Sequence, residues 1–294
     1  MITNFICSNG ESVSIKSCLK GCPNGSRCLF LPTLRAIAKT LSEKKKDEFT
    51  VTDLISGTLE SYLRKSVDYA VNPTEIYDTL VKKSIGGIND FSSGAILSNI
   101  TLEDGNASTK ITMLGKILDK QDGVLGDTKV VGSYKLMKAL GYYKADVPTG
   151  EFYKTGARKG EPKTRKELKT DGVKDSFDWT LQMNYARMLL EKEGFKVNKM
   201  VIQVYCRDFG LKIAQDRGIT KAVYMIEIPK ISDRWLKIYF DEKAKRLRKA
   251  LDTKRMPKAC KYSERWQNRK CENYCSVAEY CPYKDRFVSE DNNE

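Results

Sequence analysis

Two stretches of the chain carry cysteines on one ruler. CSNGESVSIKSCLKGCPNGSRC and CKYSERWQNRKCENYCSVAEYC both read C-x10-C-x3-C-x5-C, at Cys7, Cys18, Cys22, Cys28 and again at Cys260, Cys271, Cys275, Cys281. Eight of nine cysteines belong to this pattern, and buried structural cysteines have no need of a shared spacing. In a reducing compartment, paired tetracysteine clusters read as metal sites before disulfide frameworks. Four thiolates can close a tetrahedral zinc site or hold an iron-sulfur cluster, and the x3 spacing fits neither a C-x2-C zinc knuckle nor the bacterial ferredoxin run, so the spacing leaves the metal open. Cys18 with Cys22 and Cys271 with Cys275 stand i, i+4, so a helical turn sets each pair on one face. Modules this small bury little apolar surface alone, and stapling to the core is their expected role. Cys206, in the apolar run VIQVYC, reads as inert core.

The segment between the modules is long enough for a sizeable core in a chain of 294 residues. Three regions are expected: the first module with the basic helix LPTLRAIAKTLSEKKK over 1–45, a mixed α/β core over 46–255, and the second module with the frayed tail SEDNNE over 256–294. In the core, FTVTDLISGTLESYLRKSVDYAV predicts a helix capped at Thr52 or Asp53, with Leu54, Leu59, Tyr62 and Leu63 on one stripe. KITMLGKILDKQDGVLGDTKVVGSYK predicts a hairpin around Asp122-Gly123. DWTLQMNYARMLLEKEG reads as a helix ending at Gly194, KMVIQVYCRDFG and KAVYMIEIPK as strands, and DRWLKIYFDEKAKRLRKALDTKR as an amphipathic helix with Trp235, Ile238, Tyr239, Leu247 and Leu251 on its apolar side.

A net charge of +14 favours polyanionic partners, nucleic acid above all. No apolar run is long enough to span a membrane, and the N-terminus lacks the basic and apolar stretches of a signal peptide, so a cytoplasmic protein without a membrane partner is expected. The segment at about 144–175 has little apolar periodicity and carries Lys154, Arg158, Lys159, Lys163, Arg165 and Lys166. It reads either as a solvated flexible insert or as a basic flap over bound phosphates.

The second run of the hairpin contains Asp127-Thr128-Lys129, which puts a carboxylate and an ammonium on one strand face. A carboxylate can hold Mg²⁺ or Mn²⁺, and a neighbouring lysine can orient hydroxide or neutralise charge on phosphate. A second acid, Asp119, precedes it, and a helix bearing Gln182 follows. The turn decides the geometry: a two-residue turn puts Lys116 on the face of Asp127, whereas a three-residue loop puts Asp119 there.

This order of Asp119, the DTK run and LQMNYARMLLEKEG resembles the PD-(D/E)XK nuclease superfamily, whose core holds an acid, a D/E-x-K strand and a helix with Q-x-x-x-Y. With the C-terminal cysteines it is similar to the RecB-like, Cas4-like phage-type exonucleases that carry a cysteine-ligated cluster. The resemblance implies a restriction-endonuclease-like α/β core, a small mixed sheet flanked by helices, with a tetracysteine module at each end. It implies a metal-dependent deoxyribonuclease of DNA repair, recombination or a mobile element, with DNA and recombination or repair proteins as partners. By residue, Asp119 and Asp127 would hold Mg or Mn, Lys129 would be the catalytic lysine, and Gln182 and Tyr185 would orient DNA or the lysine. Cys260, Cys271, Cys275 and Cys281 would hold a [4Fe-4S] cluster or zinc, and Cys7, Cys18, Cys22 and Cys28 zinc or a second cluster. The chain departs from the pattern in having no histidine, with KKSIGGIND where a metal-binding one would stand, and in Ala186 four places after Gln182. The alternatives are the same fold with a decayed site that grips DNA or a partner, and a cluster-bearing interaction or redox-sensing protein without a nucleic-acid role.

Overall fold

The computed structural model describes residues 2–42, 48–76, 80, 96–106 and 109–289, so KKSIGGIND and nearly all of the tail SEDNNE lie outside the described residues. The architecture is mixed α/β. A six-stranded sheet forms its centre, with β3 (Glu48–Thr50), β5 (Ile96–Asn106), β6 (Thr109–Asp119), β7 (Val124–Val131), β10 (Lys199–Cys206) and β11 (Val223–Glu227). The spatial order is β11-β10-β7-β6-β3, with β5 on β6. The expected hairpin is β6 and β7; β7 also pairs in parallel with β10, so β7 lies inside the sheet with hydrogen-bonded neighbours on both sides.

Helix α6 (Phe177–Lys192) belongs to the parallel crossover from β7 to β10 and buries Leu181, Met183, Leu189 and Leu190 in the same core as Leu118, Leu125, Ile202 and Val204. Helix α8 (Asp233–Thr253) packs beside it through Leu236, Phe240, Ala244 and Leu247. The stripe expected on this helix is therefore turned: Trp235 and Ile238 are 45% and 54% exposed. Hydrophobicity alone placed them inward, whereas Phe240 and Ala244 define the buried line.

The segment expected to be one helix is two, α3 (Val51–Ile55) and α4 (Thr58–Ser66), broken at Ser56-Gly57. Thr50 caps α3, accepting the Asp53 N–H while Asp53 accepts the Thr50 N–H. Leu54, Leu59, Tyr62 and Leu63 are buried as the stripe predicts.

The N-terminal region contains β1 (Ile2–Ile6), β2 (Ser12–Ser14), α1 (Ile15–Lys20) and α2 (Leu31–Ser42). It is sewn into the rest, because β1 pairs antiparallel with β2 and parallel with β4 (Tyr69–Val71), and Phe5 is 1% exposed in the common core. A boundary at residue 45 cuts through this sheet. The basic insert is not a loop: β8 (Tyr143–Phe152) and β9 (Pro162–Lys169) form an antiparallel ribbon between α5 (Ser133–Ala139) and α6. Its strands expose side chains on both faces, so they show no apolar alternation to read. Gly141, at φ +79, meets the Gly172 carbonyl at the base, where any Cβ would lie 2.3 Å from that oxygen. After the short α7 (Lys212–Gln215) and the long α8, the chain ends in α9 (Arg269–Asn273), a 3-10 turn and α10 (Lys284–Ser289). No helix among the described residues is long and apolar enough to cross a membrane.

Candidate functional site

The register of β6 on β7 pairs Ile117 with Gly126, Leu118 with Leu125 and Asp119 with Val124. Continuing it sets Lys116 opposite Asp127, and alternation puts Asp119 on the other face. The connection is residues 120–123, longer than either turn considered from the sequence. Asp119 is the reason: its Oδ1 accepts the N–H groups of Gln121 at 2.9 Å and Asp122 at 3.3 Å. Asn198 reinforces the turn by donating from Nδ2 to the Asp122 carbonyl and from its backbone to Gly123. Asp119 is thus spent as a turn cap, and the expectation that it joins Asp127 on a metal ion is not met.

The resulting cluster has one carboxylate and two ammoniums. Lys116 Nζ and Lys129 Nζ both stand 2.8 Å from Asp127 Oδ2, while Asp127 Oδ1 accepts the Thr128 N–H at 2.9 Å. Asp127 and Lys116 are 6% and 3% exposed. Burial pushes the Asp127 carboxyl up, but Lys116 and Lys129 outweigh it and hold the group below the usual carboxylate range. Burial also pushes the Lys116 ammonium down to about 8, against the pull of Asp127 and with the repulsion of Lys129.

Gln182, on α6, does reach the cluster: its Oε1 accepts from Lys129 Nζ at 2.7 Å. Tyr185 goes elsewhere. Its hydroxyl donates to Asp104 Oδ2 on β5 at 3.1 Å and its ring packs on Phe240 with centroids 4.1 Å apart. Asp104 was missed from the sequence, where nothing links it to α6. A divalent ion at Asp127 would need several oxygen ligands, whereas this lone carboxylate has two ammoniums 2.8 Å from Oδ2 and the Thr128 N–H on Oδ1. The residues present do not fit Mg or Mn.

The four C-terminal thiols line one cavity of about 30 Å³, together with Glu60, Arg265 and Lys270. The x10 segment winds back because Trp266, Gln267 and Asn268 all adopt left-handed φ, at 54°, 55° and 71°. Cys271 lies on α9 and Cys275 just past it, so the helical turn covers only half of the expected pair. Gly57, between α3 and α4, admits Cys260: a Cβ there would fall 2.3 Å from the Cys260 sulfur. The module is clamped to α4 by Lys270 on Glu60 at 2.6 Å, and to α8 by Lys243 on Glu264 at 2.5 Å. Burial pushes the Cys260 thiol up to about 11 and raises Cys271 and Cys275 as well. Backbone N–H groups of Glu60 and Val277 act the other way on Cys260 and Cys275.

The N-terminal four also stand near one another, since Cys22 and Cys28 both act on the Cys7 thiol, raised first by burial, and Cys28 and Cys7 on that of Cys18. Cys18 is buried on α1 and Cys28 is exposed. No group of three or more Cys, Asp or Glu among the described residues converges as a ready metal site, so the thiols of each set stand near one another without meeting at a point. Cys206 is buried, donates to Asp208 Oδ1 at 3.3 Å, and has its thiol pushed up to about 11 by burial.

The basic residues of the ribbon divide into two sets. Lys163 pairs with Glu151, Arg165 with Glu167, and Arg158 with Glu161 at 3.9 Å. Lys154 and Lys159 at the tip and Lys166 on β9 are exposed and have no carboxylate partner among the described residues.

No family model matches the chain, and no curated protein matches it. The crystal structure of SSO0001 is similar to it at a TM-score of 0.43 and 14% identity, over 86% of this chain and 95% of that one. A likeness of that depth carries no conclusion about activity.

Proposed function

We infer that the chain is a nucleic-acid-binding protein built on a nuclease-like core whose hydrolytic site is closed by Lys116. The observation that carries this reading is the Lys116–Asp127–Lys129 cluster, in which a second buried ammonium stands where hydrolysis would need a second acid. The nuclease-like ancestry is supported by the D-x-K strand inside a mixed sheet and by the bond from Lys129 to Gln182 on the following helix. The grip on DNA is supported by the charge of +14 and by Lys154, Lys159 and Lys166 held out on the ribbon. Contacts of this kind meet phosphates and carry no base readout.

Cys260, Cys271, Cys275 and Cys281 would hold a [4Fe-4S] cluster or zinc, and Cys7, Cys18, Cys22 and Cys28 zinc or a second cluster. When bound, such a group supplies a cross-link between a small module and the core. A second reading, a Mg- or Mn-dependent deoxyribonuclease, draws on the same Asp127, Lys129 and Gln182 contacts.

One experiment separates them. End-labelled single- and double-stranded DNA is incubated with anaerobically purified protein and Mg²⁺ or Mn²⁺, and binding is followed by anisotropy as salt is raised. The expected result is uncut DNA and binding that falls steeply with salt. Metal-dependent cleavage that disappears in Lys129→Ala would establish the nuclease instead, and salt-independent or absent binding would end the nucleic-acid reading.

A further inference from the structure

The cavity shared by the C-terminal thiols is lined by a cation that has no carboxylate partner among the described residues. Arg265 lines it, and its Nε and Nη1 are closed off from solvent without a hydrogen-bond partner among the described residues. The guanidinium carbon lies 3.3 Å from the centroid of the Phe287 ring, which fixes its plane. Neighbouring carboxylates are engaged elsewhere: Glu60 with Arg64 and Lys270, and Glu264 with Lys243 and the Lys261 N–H. Among the remaining cavity walls are the four sulfurs, and the charge of Arg265 already acts on Cys271.

A guanidinium with two donor nitrogens closed off from solvent and idle is costly in a cavity walled by these four thiols. It becomes favourable once those thiols are ionised around a metal, because four thiolates on Zn²⁺, or on a cluster core of charge 2+, leave a net charge of −2. We propose that Arg265 is the outer-shell donor to an anionic tetrathiolate centre at Cys260, Cys271, Cys275 and Cys281, giving N–H groups to ligand sulfur and offsetting its charge. This rests on the reading of those cysteines as metal ligands. Arg265 is a positioning residue that selects a dianionic centre over an empty dithiol or disulfide pocket, and Phe287 holds it in plane.

The test uses the full chain, loaded with zinc alone and, separately, with iron and sulfide, in wild type, Arg265→Met and Arg265→Lys. Release of metal to a chelator and the melting temperature of the metal-stripped protein are measured for each. Arg265→Met should release metal on the order of 10-fold faster or more, the range typical of lost outer-shell partners. Arg265→Lys, which keeps charge and loses the planar fork, should fall between. The stripped Arg265→Met protein should melt no lower than stripped wild type, because donor nitrogens closed off without a partner have been removed. Release at the wild-type rate, or equal loss of stability with and without metal, overturns the donor role alone. A wild type that takes up neither zinc nor iron overturns the cysteine reading and the donor with it.

Discussion

At Asp127, one buried carboxylate oxygen stands 2.8 Å from two ammoniums, that of buried Lys116 and that of half-buried Lys129. Removing that carboxylate leaves two cations facing each other without a counter-charge, so Asp127→Asn is expected to cost about 3–5 kcal/mol in urea unfolding. Lys116 adds a pH signature. Its folded value is about 8 against an ordinary 10.5, so between these values the unfolded chain binds more protons and stability rises with pH. The cost of the buried charge is present in full below pH 8 and relieved toward 10.5. Between about pH 7 and about pH 9.5, the urea midpoint of wild type should gain on that of Lys116→Met. The residue-level chemistry was only half legible beforehand: D-x-K alternation placed Asp127 beside Lys129, but which neighbour faced them hung on a turn length. Asp119 set that length with its own side chain, a choice that an acid two and three residues before free backbone N–H groups makes locally and that counting hairpin residues does not capture.

The ribbon of β8 and β9 is the element that sequence periodicity hid, since exposed strands with charges on both faces look like a loop. Its unpaired lysines make a graded prediction. Replacing Lys154, Lys159 and Lys166 by alanine should weaken DNA binding evenly across sequences, and each lysine that meets a phosphate should reduce the slope of log affinity against log salt by about 1. Equal substitutions at Lys163 and Arg165, which answer to Glu151 and Glu167, should change the slope less. Unchanged slopes in both sets would remove the ribbon from the interface. Helix α8 shows the opposite kind of error. Its existence and extent follow from the amphipathic pattern, while the buried line runs through Phe240, Ala244 and Leu247 because α4 and α6 pack there, a tertiary fact that the aromatic rings of Trp235 and Tyr239 mask.

For the whole molecule, the core hairpin, helices α6 and α8 and strands β10 and β11 were legible, whereas the pairing that ties the N-terminal region to residues 69–71 was not. Parallel pairing of β1 with β4 joins residues far apart in sequence, and no local pattern announces such a partner. A chain beginning at residue 46 should therefore be unstable, not a freed core: loss of the buried Phe5 contacts alone is on the order of 3–5 kcal/mol. Thermal melts should show one cooperative transition for the intact chain and a broad or absent one for the truncation. An equally sharp, equally high transition would restore the boundary. The same pairing sets an order of assembly during translation. The first strand is made before Tyr69–Val71 exist to receive it, and Gly57 ahead of α4 and Glu60 on it wait until Cys260 through Cys281 are made. The C-terminal module closes last on a middle made early, so a ribosome that stalls short of the last cysteine releases a chain with that seam open.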